Sequence, residues 1–144
     1  MSDLSLSDLM TEEELIDEVR TALAGLDHAK IPDDTIVQAA NRFVLPILNE
    51  VTSDSVDEDK FENAFIFWTA EKSFDAWLAF ERLRDAELET FTRPDRYRER
   101  LEKRTNVAIQ QVDASRPSEH RNVSITVKHD GVTERIDLDG RWTP

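Results

Sequence analysis

The chain has 144 residues, no cysteine and a formal net charge of −13 at pH 7. Its length suits one domain with a core of its own, and the lack of cysteine excludes disulfide bonds and thiolate metal sites. The densest apolar block, AFIFW at 64–68, is too short to cross a bilayer, and the first residues lack the pattern of a signal peptide. We expect a soluble, intracellular protein.

Charge is unevenly distributed along the chain. Residues 1–60 contain 15 acidic and 4 basic residues, whereas residues 61–144 contain 16 and 14. Asp (16) and Arg (13) are much commoner than Lys (5). An ordinary acidic surface explains this, and so does adaptation to concentrated salt, where screening removes the self-repulsion of the acids. The negative charge argues against a general affinity for phosphate backbones.

The N-terminal part of the chain predicts a tail followed by a helix. Residues 1–10 have no sustained pattern, so we expect them to be a mobile tail. The first helix begins at Thr11, which forms a capping box with Glu14, and it ends at Gly25. Its apolar side has helical spacing and consists of Leu15, Val19, Ala22 and Leu23.

A second helix is predicted over residues 32–51. Pro32 suits its first turn. Pro46 lies within the helix, where it cannot donate a backbone hydrogen bond and its ring crowds the preceding turn. We therefore expect a kink or a break at Pro46, and a kink that wraps the helix around the core explains it more simply than a functional hinge. The predicted buried side consists of Ile36, Ala40, Phe43, Val44, Ile47 and Val51.

The third predicted helix is the longest. It is capped at Ser55 or Asp57 and continues to about Phe91. A helix that is apolar on most sides is either central in its domain or shared between subunits, and we expect this one to be central. It contains seven of the eleven aromatic residues, namely Phe61, Phe65, Phe67, Trp68, Phe74, Trp77 and Phe80.

A fourth helix is predicted over about 94–112, opened by Pro94. Its apolar face contains Tyr97, Leu101, Ala108 and Val112. The patterns together predict a mainly α fold, a four-helix bundle over residues 11–112 with a long central aromatic helix. A linker over 113–121 and a C-terminal β-hairpin over 122–144 follow.

The hairpin is predicted in a definite register. The two-residue turn Asp130-Gly131 pairs His129 with Val132 and fixes every other pair. The apolar pairs lie on one face and are Val123 with Leu138 and Ile125 with Ile136. The pairs on the other face are polar, namely Lys128 with Thr133, Thr126 with Arg135 and Ser124 with Asp137. Matched faces of this kind are typical of a paired hairpin.

The sequence leaves two placements for the hairpin open. A two-stranded hairpin is marginal in water and exposes two edges, so it packs either on its own helices or on another subunit. The nine-residue linker with Pro117 favours an arm, which is the hypothesis that we follow, with strand addition to a partner sheet and a tryptophan anchor. The predicted partner-binding residues of the arm are Val123, Ile125, Val127, Ile136, Leu138 and Trp142.

No catalytic, cofactor-binding or metal-binding residues are predicted. The three histidines lie in separate connectors without ligand spacing. The acidic run from Asp57 lacks the glycine and the closing glutamate of a calcium loop. The glycines form no phosphate loop and no nucleophile elbow, and the carboxylates sit mainly at helix starts and on polar faces. We therefore expect no enzyme.

Positive charge is concentrated in the segment RPDRYRERLEKR at 93–104. Interleaved acids allow helical ion pairs such as Arg98–Glu102, so a solvated charged face is one explanation. The segment could also contact the acidic face of a neighbouring identical subunit or line a channel for DNA. Acidic residues 1–60 and this helix on one chain suit head-to-tail assembly into a ring. The candidate residues are Arg93, Arg96, Arg98, Arg100, Lys103 and Arg104.

The order of four segments resembles a known family. TEEELIDEVRTAL is followed by IPDDTIVQAANRFVLPILNEV, by the aromatic FENAFIFWTAEKSFDAWLAF and by the basic RYRERLEKRTNVAI. Over residues 11–112 this order resembles the adaptor, or head–tail connector, proteins of tailed viruses. The acidic composition would suit a virus of a halophilic host. The resemblance is one of helix order and character, without a diagnostic motif.

The resemblance implies a small helical-bundle protein that forms a ring, dodecameric in most members, beneath the portal of the filled capsid. Such a ring extends the DNA channel and docks the next neck or tail protein. The implied partners are copies of the chain, the portal, the next neck protein and the nearby packaged DNA, in the virion neck after assembly in the host cytoplasm. Terminal segments reach onto the portal or a neighbour, a role expected for the hairpin. Neither cofactor nor membrane is implied.

A different class of function is the alternative. An acidic helical protein could be a regulatory binding module, for example a decoy that occupies a DNA-binding protein. Its binding surface would then consist of the acidic helices rather than the C-terminal hairpin.

Overall fold

The computed structural model describes residues 3–24, 28–52, 55–83, 94–113 and 122–139. These residues are mainly helical, and a two-stranded antiparallel hairpin lies at the C-terminal end. This confirms the predicted mainly α class with a C-terminal hairpin. Within the described ranges, none of the helices combines the length and the apolar character that a membrane span requires.

The helices and strands follow one another in simple order. The α-helices are α1 (Leu6–Leu9), α2 (Glu12–Ala22), α3 (Asp33–Gln38), α4 (Leu45–Val51), α5 (Glu58–Leu83) and α6 (Pro94–Gln111). A 3₁₀ turn, His28–Lys30, precedes α3, and a π-helical segment, Ala39–Val44, joins α3 to α4. The strands are β1 (Asn122–His129) and β2 (Val132–Asp139).

Both predicted N-terminal caps are present. The Glu14 N–H donates to Thr11 Oγ1 at 3.1 Å, and the Thr11 N–H donates to Glu14 Oε1 at 3.0 Å. At the start of α5, Asp57 Oδ1 accepts the Asp59 N–H at 2.8 Å. These bonds satisfy backbone donors that have no partner inside the helix. The predicted ends of the same helices, at Gly25 and near Phe91, lie outside the described residues.

Residues 3–10 are folded onto the helices, so the prediction of a mobile tail is wrong for them. The side-chain amide of Asn49 holds both backbone groups of Leu4, with its Oδ1 accepting the N–H at 3.2 Å and its Nδ2 donating to the carbonyl at 2.8 Å. Leu6 and Met10 are buried in the core. They lie four residues apart and therefore project from one side of a short helical turn.

The chain remains helical through Pro46, from Asp33 to Val51, so there is no break. The π-helical segment ends at Val44, two residues before the proline, and the Leu45 N–H donates to the carbonyl of Ala40, five residues earlier. The wider turn changes the hydrogen-bond register where proline cannot donate to the carbonyl four residues back. The proline is accommodated by this local change of register.

Helix α5 contacts α2, α6, the π-helical segment and both strands. All seven residues of 68–74 are buried, which covers two full turns and therefore every side of the helix. Phe43 of the π-helical segment packs edge-on against Trp68, with ring centroids 5.9 Å apart. The predicted apolar face of α6 is buried as well, at Tyr97, Leu101, Ala108 and Val112.

The hairpin has the predicted register at every pair, from Val123 with Leu138 to His129 with Val132. Its placement differs from the arm hypothesis. Ile125 and Val127 are fully buried in the core of the same chain. Of the two placements that the sequence leaves open, the structure shows the packing on the chain's own helices.

Strand β1 is attached to the helices by two specific contacts. The Gln38 side chain accepts the Thr126 N–H at 2.9 Å and donates to the Thr126 carbonyl at 3.0 Å, so it occupies the outer edge of β1. The ring of His129 meets Trp77 edge-on, with centroids 5.2 Å apart.

The residues predicted to bind a partner are therefore used inside the chain. Ile136 and Leu138 are 3% and 6% exposed, and Val123 packs partly buried against the same core. The correction has a simple cause, since α3, the π-helical segment and α5 present an apolar surface that the hairpin covers. Trp142, the predicted anchor, lies outside the described residues.

Candidate interaction surfaces

The predicted basic helix exists as α6, but its charges serve two different purposes. The Arg98 Nε donates to Asp75 Oδ1 on α5 at 2.9 Å, and the Arg98 Nη1 donates to Glu102 Oε2 at 3.1 Å. The pKa of Arg98 is raised, chiefly by the charge of Asp75. Arg98 thus fixes α6 along α5 within one chain. Arg93 lies outside the described residues.

The other four basic residues form an exposed face of α6. Arg96, Arg100, Lys103 and Arg104 are all exposed, and steps of four, three and one residues keep them on one side of a helix. We call these four residues the basic face. In the described part of the chain none of them has an ion pair. The Arg100 guanidinium lies over the ring of Tyr97, 4.9 Å from its centroid.

An exposed apolar residue continues the basic face. Val107 lies four residues after Lys103, on the same side of α6, and its side chain is 53% exposed. Among the residues that the structure describes, it is the one large apolar side chain that is exposed. Single exposed apolar residues are ordinary. The exposure of Val107 is informative only because this residue lies beside the basic face.

Acidic side chains collect where α2 and α5 begin. Glu14 and Glu18 of α2 and Glu58, Asp59 and Glu62 of α5 form the set that we call the acidic patch. The pKa of Glu62 is raised, first by its partial burial and then by the charges of Asp59, Glu18, Glu14 and Glu58. The four neighbouring carboxylates therefore make Glu62 harder to ionise. Distant parts of the sequence meet in this patch, which composition alone does not predict.

The basic face and the acidic patch lie at different levels of the molecule. Arg98 contacts Asp75, and the Thr105 hydroxyl donates to the Phe67 carbonyl at 3.1 Å. These two contacts show that α6 runs antiparallel to α5. Thr105, the neighbour of Arg104, lies beside Phe67, five residues or about 8 Å beyond Glu62 along α5. Arg98, nearer the other end of the basic face, lies beside Asp75, thirteen residues or about 20 Å beyond Glu62. The described residues contain no ion pair between the two surfaces. The described structure thus has a basic surface and an acidic surface that are not paired with each other.

A buried carboxyl group lies within α5, at Glu71. It is 1% exposed, and its Oε1 atom accepts no hydrogen bond. Burial raises the pKa of Glu71 to about 7, although the nearby Lys72 ammonium lowers it. The Lys72 Nζ lies 4.0 Å from Glu71 Oε1 and 3.6 Å from Asp75 Oδ2. The burial of Glu71 was not predicted, although a Glu-Lys pair within an aromatic-rich helix is a signal that the sequence contains.

The lining residues of two openings in the described part of the surface do not include Glu71. An open cleft of about 510 Å³ lies beside α1 and is lined by residues from Ser5 to Glu14 and by Asn41. A small depression between α2 and α6 is lined by Ala22, Tyr97 and neighbouring residues. Neither of these two openings reaches Glu71. No group of three His, Cys, Asp or Glu side chains in the described ranges is placed to share a metal ion.

Comparison of the chain with protein-family models, with curated proteins and with solved structures finds no match. The resemblance to tailed-virus adaptors therefore stays a prediction from helix order and character.

Proposed function

We propose that this chain is a structural subunit, without enzymatic activity, that forms a ring-shaped adaptor between the portal and the neck or tail of a tailed virus. In this proposal the helices form a four-helix bundle around α5 as the central aromatic helix. The ring extends the DNA channel and docks the next neck component in the virion. The order of acidic, aromatic and basic helices along 11–112 supports it.

The observation that carries the proposal is that the folded chain has both a basic face and an acidic patch. Four exposed bases on α6 lack ion pairs in the described structure, although the chain has a net charge of −13. Unlike patches on one chain favour head-to-tail contacts, which repeat and close into rings when the rotation allows. An adaptor ring needs such a repeating contact between identical subunits.

The proposal is tested by the mass of the assembly. The purified chain is measured by size-exclusion chromatography with light scattering, over a range of salt concentrations, alone and with the portal protein of the same virus. We expect a closed oligomer whose mass is an integral multiple of the chain mass and which co-elutes with the portal. A chain that stays monomeric and ignores the portal contradicts the proposal.

The acidic patch favours a second candidate, the regulatory module that binds a basic partner in place of DNA. Deleting the hairpin does not separate the two candidates, since Ile125 and Val127 belong to the core and their loss would unfold the chain. Neutral variants separate them. The pair Arg96→Gln and Lys103→Gln should weaken an adaptor ring, whereas a decoy that binds through its carboxylates should keep its affinity.

A further inference from the structure

We infer that the basic face of α6, together with Val107, docks on the acidic patch of a second copy of this chain. The inference rests on the proposed ring function and names the contact that would build it. The strongest alternative occupant of a basic face is the phosphate backbone of DNA, and the experiment below distinguishes the two.

The basic face is available for a partner. Arg98, which lies on another side of α6, is already bound to Asp75 and Glu102, whereas Arg96 and Lys103 point to solvent without an ion pair in the described structure. From Arg96 to Arg104 the face covers about 12 Å of helix. Several cations held on one rigid helix form a surface of fixed geometry, which recognises an equally fixed arrangement of anions.

Val107 supports a protein partner over a nucleic acid. Its exposed side chain extends the basic face toward the C-terminal end of α6. An apolar residue within a patch of charges is common where a contact buries a small apolar centre inside a polar rim. Phosphate contacts by themselves need no apolar neighbour.

The acidic patch is the matching occupant. Its members Glu14, Glu18, Glu58 and Asp59 are all exposed and come from two helices that pack together. Burial and then the charges of the four other members raise the pKa of Glu62, and cations from a second copy would offset those negative charges. The overall charge of −13 instead repels a polyanion such as DNA.

In the described part of one chain, the basic face and the acidic patch form no ion pairs with each other. The Arg98–Asp75 ion pair and the Thr105–Phe67 hydrogen bond fix α6 along α5, and the described residues show no ion pair between face and patch. In the described part of the chain, each copy therefore has one surface of each sign without an ion pair to the other. Such a contact is heterologous, and its repetition gives a ring or an open chain.

Charge reversal tests the contact. One variant contains Arg96→Glu and Lys103→Glu in the basic face, and a second contains Glu18→Lys and Glu58→Lys in the acidic patch. The matched control reverses two exposed bases elsewhere, with Arg42→Glu and Lys128→Glu. Circular dichroism melts first establish that each variant folds. Light scattering then gives the mass of each variant alone and of the two reversed variants mixed.

We expect each reversed variant alone to lose at least tenfold in association constant, while the control assembles as the unmodified chain does. The mixture of the two reversed variants should recover the assembly, because the reversed face of one then matches the reversed patch of the other. Reversed variants that assemble normally, or a mixture that fails to recover, overturn the inference.

Two further outcomes separate this contact from its alternatives. If the Arg96→Glu and Lys103→Glu variant keeps its mass but loses binding to a duplex DNA probe, the basic face takes DNA and the inference is overturned. If the unmodified chain assembles with the portal and the reversed variants do so equally well, the contact is wrong and the adaptor function stands. An unmodified chain that stays monomeric with the portal present overturns both.

Discussion

The carboxyl group of Glu71 is the clearest case of a side chain in conflict with its surroundings. It is buried among apolar residues of α5, and its pKa is raised to about 7 by that burial. Below pH 4.5 the group is protonated in both the folded and the unfolded chain, so it has no effect on stability. Between pH 4.5 and 7 the unfolded chain releases the proton first, so the free energy of unfolding falls as the pH rises.

We predict that Glu71→Gln stabilises the chain at neutral and higher pH, because the amide removes the ionisation that the core disfavours. A shift from 4.5 to about 7 sets an upper limit of roughly 3 kcal/mol, and we expect roughly 1–3 kcal/mol. Urea denaturation at pH 4 and pH 8 measures the gain, which should be larger at pH 8. The exposed Glu99→Gln serves as control, and equal changes at both pH values for Glu71→Gln would contradict the account.

The side chain of Gln38 joins parts of the chain that are 88 residues apart. Two of its bonds go to the backbone of Thr126, on the edge of β1 that does not face β2, and its Nε2 also donates to Asp34 Oδ2 at 2.5 Å. No local pattern around Gln38 predicts this role, because the partner is set by tertiary packing. Residues of this kind are the ones that the sequence analysis missed.

We predict that Gln38→Ala lowers the free energy of unfolding by about 1–3 kcal/mol, since it leaves a half-buried N–H and carbonyl without their partner. Chemical denaturation measures the loss. The same change at the exposed Gln111 is the control and should cost much less. Equal effects of the two substitutions would show that the contact with Thr126 contributes nothing.

At the scale of elements, the hairpin illustrates what local patterns determine. The turn Asp130-Gly131 and the alternation of apolar and polar residues fix the register, and the predicted pairs are all present. The same pattern says only that one face must be covered. Whether that cover is the chain's own helices or another subunit depends on surfaces that are remote in sequence, and the expectation of an arm was wrong for this reason.

We predict that Val127→Asn destabilises the isolated chain by roughly 2–4 kcal/mol, because it places an amide in the core. Lys128→Asn, the next residue and on the exposed face, is the matched control and should change stability by less than about 0.5 kcal/mol. Thermal melts of dilute protein provide the measurement. If Val127→Asn had no effect on the dilute chain, the apolar face would be free and the arm hypothesis would return.

The helices show the same division between local and remote causes. The caps at Thr11 and Asp57 and the buried stripes of α2 and α6 follow from local spacing, and the structure confirms them. The fold of residues 3–10 was missed, because Leu6 and Met10 are too few to form a pattern and need Asn49 to hold the segment. Pro46 was expected to bend or break its helix, and the π-helical segment before it keeps the chain helical.

At the scale of the whole molecule, the sequence indicated charge asymmetry but did not locate it. Six bases in one segment looked equivalent, yet Arg98 is used for internal packing and Arg96, Arg100, Lys103 and Arg104 form the exposed face. Four acids of the first 60 residues likewise meet Glu62 in a patch where α2 and α5 begin. The presence of both surfaces, the basic face and the acidic patch, on one folded chain is the physical basis of the proposed assembly.

Cross-linking between copies tests that basis most directly, and the chain suits it because it contains no cysteine. Val107→Cys places one thiol beside the basic face, and Glu58→Cys places another in the acidic patch. Disulfides form only between sites that come within about 7 Å. The account predicts a ladder of covalent oligomers from the chain with both substitutions, and only dimers from a mixture of the two single variants. A product that remains monomeric under oxidising conditions, while the folded chain is concentrated, would contradict it.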